Sequence, residues 1–429
     1  MESQNPALST PSTKSTKSIW LFWCIAALFY FYQFFLRVSP GVMSQDLMRD
    51  FAVQGCALGV LGAFYYNAYA AMQIPLGILL DRFGPRRLMA ASCAIATFGT
   101  YLFSQAETLS VASFGRLLMG AGAACGFIGT IKLATLWFPP ERIGRVIGFT
   151  LVLGTLGATS AGAPLGALVD EFGWRYTLLM VTIAGSGLAA ALYFILREPR
   201  DLQPAKEKPP VKLLDGLATV VTSKQVWFVA FFGCMMYVPL AAIADLWGAL
   251  YLSERYAISS KRAASMVSFI YIGIALGAPF TMWLSDYLRN RKKVMFASAS
   301  IYLLLFLGIL YIDAIPMTLM YGLMFCAGFF FSGQNLIFAM ATENMPLRIS
   351  GITAAFTNMI VMLSGVIFEP LVGWLLDYKW DGTLKNGVPY FTTENFTFAL
   401  TAVPTALAFA VLSLLFIKET YPKTSSSKN

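Results

Sequence analysis

The sequence has no histidine, and only 12% of its 429 residues are charged, about half the share in an ordinary soluble domain. Histidine is the commonest acid–base group near neutral pH, so its absence argues against an enzyme. The six cysteines (Cys24, Cys56, Cys93, Cys125, Cys234, Cys326) each stand alone in apolar sequence, with no CxxC pair. That spacing argues against disulfide, zinc or haem sites and leaves small core hydrophobes. No cofactor or metal is expected. No small-residue cleavage site follows the first 18 residues, which are polar and rich in Ser, Thr and Lys. The apolar run after them is far longer than a signal-peptide core, so they read as a cytosolic tail before an uncleaved helix.

What fills the chain instead is apolar sequence, 57% of all residues, with a mean hydropathy of +0.65. That is the composition of an integral membrane protein. Twelve apolar segments reach spanning length: 19–44, 55–80, 88–105, 109–137, 143–169, 174–197, 225–253, 263–285, 294–312, 315–342, 350–376 and 396–417. The expectation is an all-α fold of twelve transmembrane helices with both termini on one side. Of the 31 basic residues, 21 lie in the tails and even-numbered connections. Seven (Arg49, Arg175, Arg255, Lys261, Arg262, Lys379, Lys385) lie in odd-numbered loops. The bias puts both termini in the cytoplasm, and it accounts for the net charge of +9 without any nucleic acid.

The one long polar connection inside the chain, Glu198–Asp215, divides six segments from six, and the two sides echo each other. Asp81 pairs with Asp286, Pro140-x-Arg142 with Pro346-x-Arg348, and Asp170 with Asp377, at shifts of 205, 206 and 207 residues. Three echoes at one offset indicate a duplication. The predicted organisation is a tail (1–18), a six-helix bundle (19–197), a linker (198–222), a second bundle (223–418) and a tail (419–429). In transporters built from such repeats the substrate site lies between the halves. Gly162/Gly166 and Gly273/Gly277 make small-xxx-small pairs, which let helices approach closely.

Charges within the spans are the candidate site. Arg37 is the only charged residue from Ile19 to Met43. An arginine at that depth costs roughly 2.5–3.5 kcal/mol on insertion scales unless it faces a wet cavity or a partner, or snorkels to the interface. Asp245 is the nineteenth residue from Trp227, as Arg37 is from Ile19, so the two lie at similar depth. Asp245 either pairs with a fixed arginine or titrates, and Glu369 beside Pro370 stands under the same alternatives. Lys132 is a second candidate cation, with snorkelling as its rival. Arg116 is either structural or tunes a carboxylate. Tyr65, Tyr66, Asn67, Gln73, Gln334 and Asn335 are hydrogen-bonding candidates, against a default role as helix–helix glue. Phe29–Phe35 are candidates to wall a pocket. Glu343 reads as a latch partner for Arg348 or a loop arginine.

Gly77–Arg87, GILLDRFGPRR, resembles the G-x-L-x-D-R-x-G-R-[KR] loop of the major facilitator superfamily, with Pro85 in place of the usual arginine. Arg116-LLMGAG is similar to the family's R-x-x-x-G-x-G pattern, and the resemblance covers roughly residues 19–418. It implies two pseudo-symmetric bundles working by alternating access. It also implies a cytoplasmic latch of Gly77, Asp81, Arg82, Gly84, Arg86 and Arg87, with Asp286, Arg142 and Arg348. FLRVSPGVM and Lys132-LATLWFPPER resemble segments of the organic anion symporters, and RVSPGVM is also similar to bacterial phagosomal nutrient transporters. Both resemblances put Arg37 in the central cavity, on a substrate carboxylate.

The resulting expectation is a secondary transporter in the bacterial inner membrane, a monomer in the lipid bilayer with protons as coupling ion. Arg37, Lys132, Asn67, Tyr66, Gln334 and Asn335 would bind substrate, and Asp245, Glu369 and Arg116 would serve proton coupling. Both charge signs in one cavity favour uptake of a zwitterion such as an amino acid. The alternative is a purely anionic solute: a sugar acid, a dicarboxylate or a citrate-type siderophore. Efflux, or a receptor that does not transport, comes third.

Overall fold

The structure, a computed structural model, describes residues 16–198, 213–385 and 387–421. It is helical almost throughout, because lipid offers no water to backbone N–H and C=O groups and only helices or closed barrels satisfy them internally. In chain order the helices are α1 (Thr16–Val42), α2 (Ser44–Phe51), α3 (Gly55–Ser104), α4 (Leu109–Ala123), α5 (Cys125–Trp137), α6 (Pro140–Ser160), α7 (Ala163–Phe172) and α8 (Trp174–Phe194). After them come α9 (Leu213–Val221), α10 (Lys224–Pro239), a π-helix (Leu240–Trp247), α11 (Gly248–Tyr256), α12 (Ser260–Leu288), α13 (Arg291–Tyr311) and α14 (Met317–Phe331). A 3₁₀ turn (Ser332–Asn335), α15 (Leu336–Glu343), α16 (Ser350–Lys379), the hairpin of β1 (Leu384–Lys385) and β2 (Val388–Pro389), α17 (Thr393–Leu400) and α18 (Ala402–Ser413) complete it.

Among the described residues, ten helices or unbroken helix runs are long and apolar enough to cross a membrane. An eleventh is added if Ser44–Phe51 and Gly55–Leu80, bent by 113°, form one span. Ten of the twelve expected segments coincide with these helices, 55–80 falls in the bent pair, and 88–105, the second part of α3, is not among them; the other departures are local. The amphipathic α2 precedes the second segment, α9 occupies part of the expected 198–222 linker, and the outer polar insertion folds into the β1–β2 hairpin. Residues 199–212 of that linker lie outside the described residues, as do most of the expected tails.

Breaks in the helices have local causes. Gly84, at φ +77, divides α3 in two, a conformation that costs an L-residue strain and glycine none. Pro239 immediately precedes the π-helix, and a proline N–H is missing from the ladder there. Polar residues at the water boundary start several helices. Ser223, Ser259, Asn290 and Thr392 each accept a bond from a first-turn N–H, satisfying groups a helix leaves orphaned.

The N-terminal and C-terminal halves of the chain meet along three lines. α1 lies against the π-helix, α6 and α7 pack on α12, and the first part of α3 runs beside α16. A Cβ on Gly59 would come 2.3 Å from the Glu369 carbonyl oxygen, so these two backbones touch where no side chain intervenes.

Candidate functional site

The site starts from a proline. Pro40 has no N–H, so the Leu36 carbonyl one turn earlier loses its helical partner. Ser39 Oγ at 3.0 Å and Arg116 Nη1 at 2.8 Å donate to that oxygen instead. Arg116 Nη2 reaches the Arg37 carbonyl at 3.4 Å, and its guanidinium lies 4.8 Å from the centre of the Tyr65 ring. Arg116 thus braces the α1 backbone, the contact that its structural reading calls for, while still facing the Glu369 carboxyl.

The Arg37 side chain points from α1 to the π-helix. Its Nε stands 3.3 Å from Asp245 Oδ2, with both residues buried. The equal depth read from the sequence thus becomes a contact, and π-helical turns recur at functional sites. The Tyr66 hydroxyl donates to Asp245 Oδ2 and the Tyr271 hydroxyl to Oδ1. Phe34 packs its ring 4.0 Å from the Arg37 guanidinium carbon, and Tyr237 lies at 5.9 Å. Among the described residues Arg37 Nε and Nη2 have no hydrogen-bond acceptor, although both atoms are buried. A buried donor without an acceptor is costly, and one on a guanidinium is a ready seat for an anion.

Glu369, on α16, is buried at 2% exposure. Its carbonyl accepts from Trp247 Nε1 at 3.1 Å, yet its carboxyl Oε2 has no partner among the described residues. That oxygen rests on Gly62, where a Cβ would stand 2.1 Å away. Only glycine leaves room for it.

Other expected residues are placed apart. Lys132, half-buried on α5, stands sixteen residues beyond Arg116, roughly 24 Å of helical rise, and the structure does not bring it to Arg37. Asn67 is exposed on the face of α3 shared with Val60 and Ile78, away from the ion pair, because it lies one residue round the helix from Tyr66. Gln334 is buried and Asn335 half-buried in the 3₁₀ turn, and neither touches the Arg37–Asp245 pair. Gln73 accepts from Asn358 at 2.9 Å across the α3–α16 seam, and Tyr65 donates to the Gln33 carbonyl at 3.1 Å; both act as glue. The space beside the pair, lined by residues including Val38, Gly41, Leu246 and Tyr271, holds about 10 Å³, less than a substrate needs. A larger cavity of about 360 Å³ lies elsewhere, between α13 and α14, and is walled by apolar residues such as Leu304 and Leu323.

The expected latch is only partly seen. The Asp81 side chain lies outside what is described. Gly77, Arg82, Arg87, Arg142, Asp286 and Arg348 are exposed, and the side chains of Arg142, Asp286 and Arg348 make no ion pair among the described residues. The bonds formed are different ones. Arg86 donates to the Tyr193 carbonyl through Nε at 2.9 Å and Nη2 at 2.6 Å, while its backbone N–H donates to Glu198 Oε1 at 2.7 Å. The Glu198 carboxylate sits where a Cβ on Gly84 would be. In the second half Arg291 holds Glu343 at 2.6 and 2.9 Å, so Glu343 pairs with a loop arginine and not with Arg348. Glu419 accepts from the Arg291 and Lys292 N–H groups at 3.2 and 2.8 Å. At the opposite end of α3, Asp377 accepts from Gly55 N at 2.8 Å and Cys56 N at 2.7 Å.

Sequence reasoning missed Tyr271, Trp247, Gly62, Glu198 and Glu419. Only the last two carried a signal, as the acids that follow Arg197 and Lys418 after the final helix of each half.

A family model described as Major Facilitator Superfamily matches residues 22–369. The chain is 23% identical to the "Probable hexose phosphate transport protein" of Chlamydia muridarum (strain MoPn / Nigg), over 93% of this chain and 90% of that protein. It is 23% identical to the "Probable galactarate/D-glucarate transporter GudP" of Escherichia coli (strain K12), over 92% and 93% respectively. Among solved structures, a bacterial homolog to the human lysosomal transporter Spinster, in inward-facing and occupied conformation, matches with a TM-score of 0.76. Its identity is 15%, over 94% of this chain and 97% of that one, and that likeness is one of fold.

Proposed function

The chain belongs to the Major Facilitator Superfamily, and on that premise we propose that it imports a small organic anion with protons, by alternating access in a bacterial inner membrane. The observation that carries this reading is Arg37: a buried guanidinium with donors left over, on the line where the two halves of the chain meet.

Two features favour an anion over the zwitterion expected first. Asp245 is already held on both oxygens by tyrosines and faces Arg37, so it is not free to receive a substrate ammonium. The relatives' names, a sugar acid transporter and a hexose phosphate transporter, both describe anionic solutes. Of these the carboxylate fits better, because both Nη groups of Arg116 are given to α1 carbonyls and Lys132 stands far along its helix. The Tyr66 and Tyr271 hydroxyls on Asp245 and the Tyr237 ring beside the guanidinium suit a polyhydroxylated solute, so we assign a sugar acid. The substrate carboxylate takes the place of Asp245 at Arg37.

The topology proposed is twelve spans in two six-helix bundles. Pro85–Ser104, set off by the Gly84 break, counts as a span of its own beside Gly55–Leu80. The charge bias puts the Arg86 and Arg291 end in the cytoplasm, and the Gly55 and Asp377 end outside.

The test is a thermal-shift screen of the purified protein against sugar acids, dicarboxylates, hexose phosphates and amino acids, on wild type and Arg37→Ala. A binder at 100 times its Kd adds about 2.7 kcal/mol. Sugar acids stabilising wild type but not the variant would support the reading. Amino acids alone doing so would return the zwitterion, and a shift that survives in Arg37→Ala would remove Arg37 from the site.

A further inference from the structure

The two buried acids next to the seam have opposite surroundings. Asp245 has a phenol on each oxygen and a guanidinium beside it. Glu369 has an oxygen with no donor at all among the described residues. The charged and titratable groups that face it are Arg37 from α1, Arg116 from α4, Asp245 from the π-helix and Tyr66 from α3. Neither arginine makes a contact with it: Arg116 is bound to carbonyls and Arg37 stands against Asp245. Farther out along the seam are Cys56 and Asp377, which are bound to each other.

A buried carboxylate without a donor is far less favourable than the neutral acid. We propose, resting on the anion-import reading above, that Glu369 carries the coupled proton and that Asp245 serves only as the counterion of Arg37. The place of Glu369 in the fold supplies the coupling. Its Oε2 is sealed against Gly62 of α3, and its backbone is tied to Trp247. Water reaches the carboxyl only when α3 and α16 part.

With the seam open outward, a proton from external water binds Glu369 as the substrate carboxylate binds Arg37. Closure buries the neutral acid. After inward opening the substrate leaves, Asp245 returns to Arg37, and the same proton passes to cytoplasmic water. One proton and one anion cross together, and Glu369 ends as it began.

Two measurements test this. In proteoliposomes loaded and assayed with D-glucarate, Glu369→Gln should keep exchange of internal for external solute within about twofold of wild type. It should lose accumulation driven by a pH gradient, the concentration ratio falling to one. Accumulation at the wild-type ratio, or loss of exchange by a variant that still folds, would overturn the proposal. The second needs no substrate and no variant. Dicyclohexylcarbodiimide reacts with protonated carboxyls in apolar surroundings, so mass spectrometry of the treated wild-type protein should find the adduct on Glu369 and not on Asp245. The reverse distribution, or no adduct on Glu369, would overturn it. Wild type failing to accumulate D-glucarate while Glu369 is labelled would count against the substrate assignment and leave the proton assignment standing.

Discussion

The two ends of the molecule are tied in different ways. At the end where α3 begins, the bonds run between halves of the chain: Asp377 of α16 caps the N-H groups of Gly55 and Cys56, and Gly162 of the first half abuts Ser268 of the second. Toward the opposite end the Asn358–Gln73 bond still crosses, but the charged groups beyond it, among the described residues, bond within their own half. Arg86, Tyr193 and Glu198 close one group, and Arg291, Glu343 and Glu419 close the other. The difference teaches which gate is shut. In the proposed orientation the outer ends are fastened by a charged cap, whereas toward the cytoplasm the halves share the weaker, neutral Asn358–Gln73 bond.

The largest effect is expected midway between the ends, where the Arg37–Asp245 pair also crosses between halves. Arg37→Ala strands a buried carboxylate and should cost about 3–5 kcal/mol, read as a lowered thermal midpoint in detergent. If the midpoint is unchanged, the pair is not a crossing tie. Next comes the outer cap. Asp377→Ala removes two charge-assisted bonds and should move the balance toward an outward-open state by about 1.4 kcal/mol, which is tenfold in population. The native thiol of Cys56, half-buried beside the cap, reports it: an impermeant maleimide added outside should label the variant about ten times faster. An unchanged rate would mean that Asp377 is no gate.

Arg291→Ala sharpens the comparison from the other side. The pair with Glu343 is mostly buried, at 11% and 24% side-chain exposure, so its loss should lower stability by about 1–3 kcal/mol. Cys56 labelling should stay at the wild-type rate, since this group ties nothing across the seam, and a faster rate would show the two ends to be coupled directly.

The smallest effect concerns pH. Burial works to raise the Glu419 carboxyl, but bonds from the Lys292, Tyr421, Arg291 and Thr420 N–H groups outweigh it and hold the group below its ordinary range. A depressed acid stabilises the fold above its unfolded pKa of about 4.3, and that contribution is lost as pH falls through the lower folded value. The residue is exposed, so the gain is at most about 0.3–1 kcal/mol. The thermal midpoint of Glu419→Gln should fall below wild type at pH 7, and the gap should close by pH 3. A gap that widens in acid would reverse the sign assigned here.

Much of this was legible in advance because lipid makes it so. Apolar runs marked the helices to within a few residues, as with 350–376 against Ser350–Lys379. The depth count that matched Arg37 with Asp245 anticipated their contact. Pro40 was also in plain view, yet its freed carbonyl, the reason Arg116 is where it is, needs the neighbouring helix to be seen. Asn67 misled because depth along α3 says nothing of rotation: one residue from Tyr66, it turns to the exposed face.

The amino-acid order by itself determined a helical membrane protein with a biased distribution of charge and a few buried ions at known depths. Each follows from a local cost, an unpaired backbone group or a charge in hydrocarbon, that every residue meets alone. Only the tertiary structure decided which acid meets which base, that two tyrosines 205 residues apart in the sequence clamp Asp245, and that a glycine leaves the Glu369 Oε2 room but no donor among the described residues. Those outcomes depend on helix rotation and on the neighbour across the seam, neither of which the period of a helix records.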